Sequence, residues 1–194
     1  MSSIKFPFDQ SIVLQDDSAF LRPLAYSDID ELLTYLSNEP SLFQYSLQHM
    51  RDRIDLEKYV SHALEQRKNK SEYPFVIIDK KSGKIAGTTR LYLINESHAW
   101  LAIGYTWIGT IYQRTGLNRS VKLLLLNYCF DELGFIRVEF RIDKENSQSA
   151  RALESIGAVK EGELRSHMYQ KDGQRRNTLI YSILKGELRS KPSS

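Results

Sequence analysis

Apolar positions recur along this chain with two periods, and the places where the period changes mark its elements. Residues Ile12 to Pro23 predict a strand, with Phe20, Leu21 and Leu24 as its anchors. Ile29, Leu32, Leu33 and Leu36 then fall on one side of a helix. Ser27 is placed to cap it, with an acid, Asp30, three positions on, and Asn38-Glu39-Pro40 ends it. A second helix is expected over Asp52 to Lys70, where Leu56, Tyr59, Val60, Ala63 and Leu64 keep helical spacing. A meander of three strands follows: Tyr73 to Asp79, Lys84 to Ile94 and His98 to Ile108. Turns at Lys81-Ser82-Gly83 and Asn95-Glu96-Ser97 separate them. Gly104, inside the third, marks a bulge or a close backbone approach.

A long helix is expected from Gly116 to Leu133, stopped by Gly134. Ile136 to Ile142 alternates apolar and polar residues, the pattern of a half-buried strand. Ser147 to Ile156 predicts a short helix ending at Gly157. Strands over Val159 to Gln170 and Thr178 to Leu184 face each other across Lys171-Asp172-Gly173, a hairpin signal. The order β-α-α-β-β-β-α-β-α-β-β predicts a mixed α/β (α+β) sheet with helices on both faces. No linker divides the chain, so residues 1–194 read as one domain, with a core over about 12–188 and a frayed tail from Arg189.

Composition narrows the class. With 41% hydrophobic and 26% charged residues, the chain has enough apolar material for a packed core. That excludes a disordered chain and a disulfide-stapled scaffold. The 27 basic and 24 acidic residues leave a net charge of +3. The basic residues are scattered, and their clusters at Arg67-Lys68-Asn69-Lys70, Lys80-Lys81 and Arg175-Arg176 read as solvated faces or turns. This spread argues against a dedicated nucleic-acid binder and suits an anionic cofactor. The single cysteine, Cys129, excludes an internal disulfide and is expected to pack in an apolar helix. Neither a secretion signal nor a stretch of ~20 apolar residues is visible, so a soluble cytoplasmic protein is expected. His49, His62 and His98 lack metal-binding spacing, and no metal is expected. There is no nucleophile elbow and no P-loop.

Candidate chemistry concentrates in Ile103 to Ser120. A strand ends near Ile108, and a loop containing Gln113-Arg114-Thr115-Gly116-Leu117-Asn118 leads into the long helix. Such a turn leaves backbone N–H groups unpaired at a helix N-terminus, where the helix dipole also favours an anion such as a pyrophosphate. Gly116 lets the backbone approach phosphates closely, and Arg114 and Arg119 add charge. Taken alone, the same string also fits an ordinary capped helix.

Gln113 to Asn118 resembles motif A, Q/R-x-x-G-x-G/A, of the GNAT superfamily of N-acetyltransferases. It follows the right strand in the right element order. Ile136 to Ile142 is similar to the family's fifth strand, and Asp143 to Ala150 resembles the D-x-x-N-x-x-S start of motif B. Ile156-Gly157-Ala158, Glu161-Gly162-Glu163-Leu164-Arg165 and Asp172-Gly173 continue the pattern. The resemblance covers about residues 12–188 and is strongest to the branch that contains the acetyltransferases of ribosomal-protein N-termini.

It implies a mixed, mostly antiparallel sheet with helices on both faces. It implies an enzyme that passes an acetyl group from acetyl-CoA to a primary amine, on a protein N-terminus or a small molecule, by direct attack. No metal, membrane or direct nucleic-acid partner is implied, and the chain would act as a monomer or homodimer. The resemblance gives the backbone at Trp107 and Ile108 to the pantetheine arm, and the amides from Gln113 to Asn118, with Arg114 and Arg119, to the pyrophosphate. Asn146 would hydrogen-bond the pantetheine region. Ser149 would lie near the thioester sulfur as the candidate acid, although a serine at a helix start also suits a cap. Phe43 and Tyr45 fall in the loop that walls the acceptor site in relatives.

The chain also departs from the pattern. Asn118 stands where many relatives carry Gly or Ala, although this branch often carries Asn there; Ala102 stands where an acid is common, and Asn177 where Asp is common. Met168 occupies the position at which a relative has a glutamate base. His167 and Tyr169 flank it and, by strand alternation, point to the opposite face. The sequence therefore names no base, and a non-catalytic acyl-CoA-binding relative is the alternative. A basic RNA-binding or ribosome-binding module is a third reading that no RNP or zinc-finger pattern supports.

Overall fold

The fold is given by a computed structural model that describes residues 4–188, so the tail expected to fray from Arg189 lies outside the described residues. Asp16 shapes the first segment. Its carboxylate accepts hydrogen bonds from the N–H groups of Ser18 and Ala19, both at 2.8 Å, and closes an Asx-type turn. The single strand expected over 12–23 is therefore a hairpin of β1 (Leu14–Gln15) and β2 (Ala19–Pro23). Ser27 does not cap the next helix. Asp28 organises its start, accepting from Ala25 N–H at 2.9 Å and pairing with Arg22 at 2.7 Å, and α1 runs Ile29–Asn38. Asp52 caps α2 (Arg53–Lys68) by accepting from Asp55 N–H at 2.9 Å.

The meander is present as β3 (Tyr73–Asp79), β4 (Lys84–Asn95) and β5 (Trp100–Ile108). The helix expected over 116–133 is shorter and irregular. Gly116 sits outside it at φ +95°, α3 spans Leu117–Asn127, and a π-helical turn follows over Tyr128–Glu132. Next come β6 (Arg137–Asp143), α4 (Ser147–Glu154), β7 (Val159–Tyr169) and β8 (Arg175–Leu184). The last strand begins three residues before the expected Thr178.

All eight strands form one sheet in the order β1-β2-β3-β4-β5-β6-β8-β7, antiparallel except for β5 and β6. Those two are parallel because the chain crosses between them through α3. Their ladder holds only three residue pairs, Trp100–Arg137, Leu101–Val138 and Ala102–Glu139. Beyond it β5 stays with β4 as far as Ile108, while β6 stays with β8 as far as Asp143. The sheet thus splits down its middle. Helices flank it, and one apolar cluster, including Leu21, Leu56, Phe75, Phe135 and Tyr181, fills the interior. Cys129 is fully buried in that cluster, and burial pushes its thiol pKa up.

Candidate active site

The split opens a cleft of about 500 Å³. Its wall on the β5 side is shaped by two backbone irregularities. One extra residue in β5 breaks the register with β4 between Gly104 and Trp107, and Tyr105 takes φ +53°. The bulge expected at Gly104 therefore falls one residue later, bending the strand away from β6. Opposite Ile108, β4 carries Gly87, whose position leaves no space for a Cβ: it would lie 1.9 Å from the Trp107 carbonyl oxygen. Below, the fully buried Arg90 is sandwiched between the rings of Tyr59 and Tyr105, each 4.3 Å away, and pairs with Glu72 at 2.9 Å.

The loop from β5 to α3 is pinned from inside and open outward. The Gln113 amide donates to Ile108 O and accepts from Gln148 Nε2, both at 3.0 Å, tying the loop to β5 and α4. Thr115 Oγ1 donates to Tyr112 O at 2.7 Å, and the buried Leu117 anchors the helix start. Among the described residues, no protein acceptor faces the N–H groups of Arg114, Thr115, Gly116, Asn118 and Arg119. Arg114 is exposed, at φ +60°. The Arg119 guanidinium is engaged elsewhere, donating to Ser155 O at 2.8 Å and holding the end of α4. The Asn118 side chain is also occupied, accepting from Lys122 Nζ at 2.7 Å.

Across the cleft, Asn146 is the cap of α4: its Oδ1 accepts from Ser149 N–H at 3.0 Å. Ser149 lines the cleft, and its hydroxyl has no protein partner among the described residues. Phe43 is buried edge-on against Trp107 at 5.1 Å, which in turn meets Tyr35 at 5.5 Å. Tyr45 donates from its hydroxyl to Glu145 O at 3.1 Å. The β7–β8 hairpin closes on this loop, with Lys171 Nζ donating to Phe43 O at 2.7 Å and Arg176 to Tyr45 O at 3.2 Å.

One expectation is corrected here. Alternation would turn His167 away from the face that carries Met168, yet both line the cleft. The register of β7 shifts between Leu164 and Met168, and Ser166 stands at φ +51°. This bulge is held on both sides: Asn177 Oδ1 accepts from Ser166 N–H at 2.8 Å, and Arg175 donates twice to Ser166 O. Asn177, a departure in sequence, thus maintains the irregularity that re-aims His167. The His167 ring is fixed by a 3.1 Å contact from Nδ1 to Thr178 Oγ1.

Sequence reading missed Lys122, which is 7% exposed and has its pKa pushed down to about 8 by burial. The sequence carries only its place in an apolar run, four residues after an asparagine on the same helix face, which a lysine that reaches water shares. Arg90 was missed because nothing in a strand pattern distinguishes a buried arginine from an exposed one. Among the described residues, no group of three or more His, Cys, Asp or Glu side chains is arranged to hold a metal ion. None of their helices is long and apolar enough to cross a membrane.

The sheet order, its central split and the amide-bearing loop define an acyltransferase architecture, and comparison with known proteins gives the family. The acetyltransferase (GNAT) domain profile matches residues 19–159, and the chain belongs to that family. It is an acetyltransferase, and acetyl-CoA is the family's acyl donor. It is 29% identical over 178 residues to the uncharacterized N-acetyltransferase YoaA of Bacillus subtilis (strain 168), covering 89% of this chain and 97% of that protein. The crystal structure of a GCN5-related N-acetyltransferase from Brucella melitensis superposes with a TM-score of 0.84 at 30% identity, covering 92% of this chain and 80% of that one. Mycobacterium smegmatis RimJ, in complex with CoA-disulfide, shares the fold with a TM-score of 0.76 at 20% identity, over 93% of this chain and 89% of its own.

Proposed function

We propose that the chain transfers an acetyl group from acetyl-CoA to a primary amine, on a protein N-terminus or a small molecule, by direct attack on the thioester. The observation that carries this reading is the break in the β5–β6 ladder after Ala102, beside a loop of unpaired N–H groups. The free edge of β5 at Trp107 and Ile108 takes the pantetheine arm as an added strand. The amides from Gln113 to Asn118, with the exposed Arg114, hold the pyrophosphate. Arg119 acts from behind, by fixing α4. With Oδ1 of Asn146 committed to its cap, Nδ2 is the donor left for pantetheine, and the Ser149 hydroxyl faces the thioester.

The acceptor enters between Phe43, Tyr45 and the β7–β8 hairpin. A primary amine with pKa about 10.4 must lose a proton before it attacks. That first proton goes to water; as the neutral amine attacks it sheds a second proton, which His167 takes at Nε2, the tautomer in which Nδ1–H donates to Thr178 Oγ1. A backbone N–H of the β5 edge polarises the thioester carbonyl. The rest of the rate comes from holding amine and thioester together.

The test has two stages. Millimolar CoA and acetyl-CoA raise the melting temperature, because they bind only the folded chain; no shift refutes the reading. Acetyl-CoA turnover is then screened by mass spectrometry against peptides and small amines. Binding without turnover on any amine favours the non-catalytic alternative.

A further inference from the structure

Lys122 is a buried cation lining the cleft, and the roles of the amide loop, Asn146, Ser149 and His167 leave it unassigned. A buried ammonium without a counter-charge is strongly disfavoured. Lys122 Nζ has Asn118 Oδ1 as its hydrogen-bond partner, and among the described residues no carboxylate pairs with it. An ammonium carries three N–H donors, so two remain for whatever enters the cleft.

Its position selects the occupant. Lys122 lies one helical turn beyond Asn118, and its Nζ leans back to the Asn118 side chain at 2.7 Å. It lines the same cleft as Tyr105 and Trp107 of β5, where an arm that starts at the loop of unpaired amides enters the split. Ser149 lines the same cleft from α4. The other ionisable groups lining the cleft are already committed. The Tyr59 hydroxyl meets Thr88 at 2.9 Å, Glu72 pairs with Arg90, and Asp143 pairs with Arg176 at 3.4 Å. Arg141 is held by Glu139 at 3.1 Å, and burial pushes the phenols of Tyr92 and Tyr105 up. His167 stands on the amine side with its ring tied to Thr178. Lys122 is the cation left facing the arm.

We propose that Lys122 is a catalytic residue that stabilises the departing sulfur of CoA and protonates it, with Asn118 as its positioning residue. This rests on the preceding reading that the pantetheine arm lies in the split. In the step, the amine nitrogen bonds to the acetyl carbon and the carbon–sulfur bond breaks, leaving its electron pair on sulfur. The Lys122 ammonium passes one proton to that sulfur, giving the free thiol of CoA and a neutral lysine. The proton shed by the amine resides on His167, and exchange with water resets both groups. Ser149 orients the sulfur by a hydrogen bond but cannot be the net donor, because an alkoxide is far more basic than a thiolate. A lysine pushed down to about 8 is close to a thiol's ordinary value of about 8.5, so the transfer runs nearly level.

CoA itself tests this without knowledge of the acceptor. The ultraviolet absorbance of the thiolate is titrated with CoA bound to wild type, Lys122→Met and Asn118→Ala, and CoA affinity is measured alongside. In wild type the bound thiol ionises at least one pH unit, roughly tenfold, below free CoA. In Lys122→Met it ionises at or above the free value, with CoA still bound at neutral pH, and Asn118→Ala falls between. Lys122→Met melts no lower than wild type, since it removes a buried unpaired charge. An unchanged titration in Lys122→Met with CoA bound overturns the inference and leaves the acetyltransferase reading intact. Failure of wild type to bind CoA at all overturns both.

Discussion

Asn146 and Ser149 lie three residues apart at the start of one helix, and both are cap-forming types. The sequence therefore could not divide their duties. In the folded chain Asn146 accepts the helical N–H and Ser149 is left with a free hydroxyl in the cleft. Asn146→Ala is expected to cost about 1 kcal/mol, read as a lowered melting temperature. Ser149→Ala should melt like wild type while its turnover falls and its acetyl-CoA affinity holds, the pattern of a contact made mainly in the transition state. Normal turnover in that variant removes Ser149 from the reaction. His167→Gln should lower turnover by roughly 100-fold, again with acetyl-CoA affinity unchanged, if the ring takes the amine proton. Cys129 was legible because its neighbours in sequence are apolar. Lys122 was not, because a lone lysine on an apolar helix face ordinarily snorkels to water, and only tertiary packing decides that it cannot.

Most elements were legible from periodicity, and three of the misreadings share one cause. Side chains that bond to nearby backbone override the periodic pattern. Asp16 folds β1 back onto β2, Asp28 displaces Ser27 from the helix start, and Asn177 stabilises the left-handed turn at Ser166 in β7. Asp16-Asp17-Ser18 is turn chemistry that a strand reading overlooked. The β7 bulge left no such trace, since a serine at positive φ is not signalled by residue type. Its consequence for the site is direct, because the two extra residues of β7 let His167 and Met168 both face the cleft. Asn177→Ala removes the acceptor of Ser166 N–H and is expected to loosen the bulge. Turnover should fall while CoA binding, on the other side of the cleft, stays at the wild-type level. Equal losses in both would show instead that the hairpin as a whole had shifted.

At the scale of the molecule, the element order was readable, but neither the strand order nor the split was, because hydrogen-bond register leaves no periodicity. One charge cluster spans the C-terminal half of the sheet. Arg137 on β6 reaches across β8 to Glu161 on β7 at 2.6 Å, and Ser182 on β8 donates to the same carboxylate at 2.7 Å. The Arg137 guanidinium holds the Glu161 carboxyl down at about 2, against an ordinary value of 4.5. A folded-state pKa below the unfolded value gives stability that is present above about 4.5 and lost as pH falls toward about 2. Acid melting curves should therefore separate wild type from Glu161→Gln near neutral pH and bring them together toward pH 2. A constant gap across that range would exclude the strap as an acid-labile tie. The split has a mechanical corollary. Strands β1–β5 and β6–β8 are joined across the sheet by three residue pairs alone, a shorter ladder than any other in the sheet except that of the two-residue β1. A ligand that hydrogen-bonds to both lips of that seam would act as a suture. Amide exchange in β6 and β8, far from any phosphate, should then slow when CoA is bound.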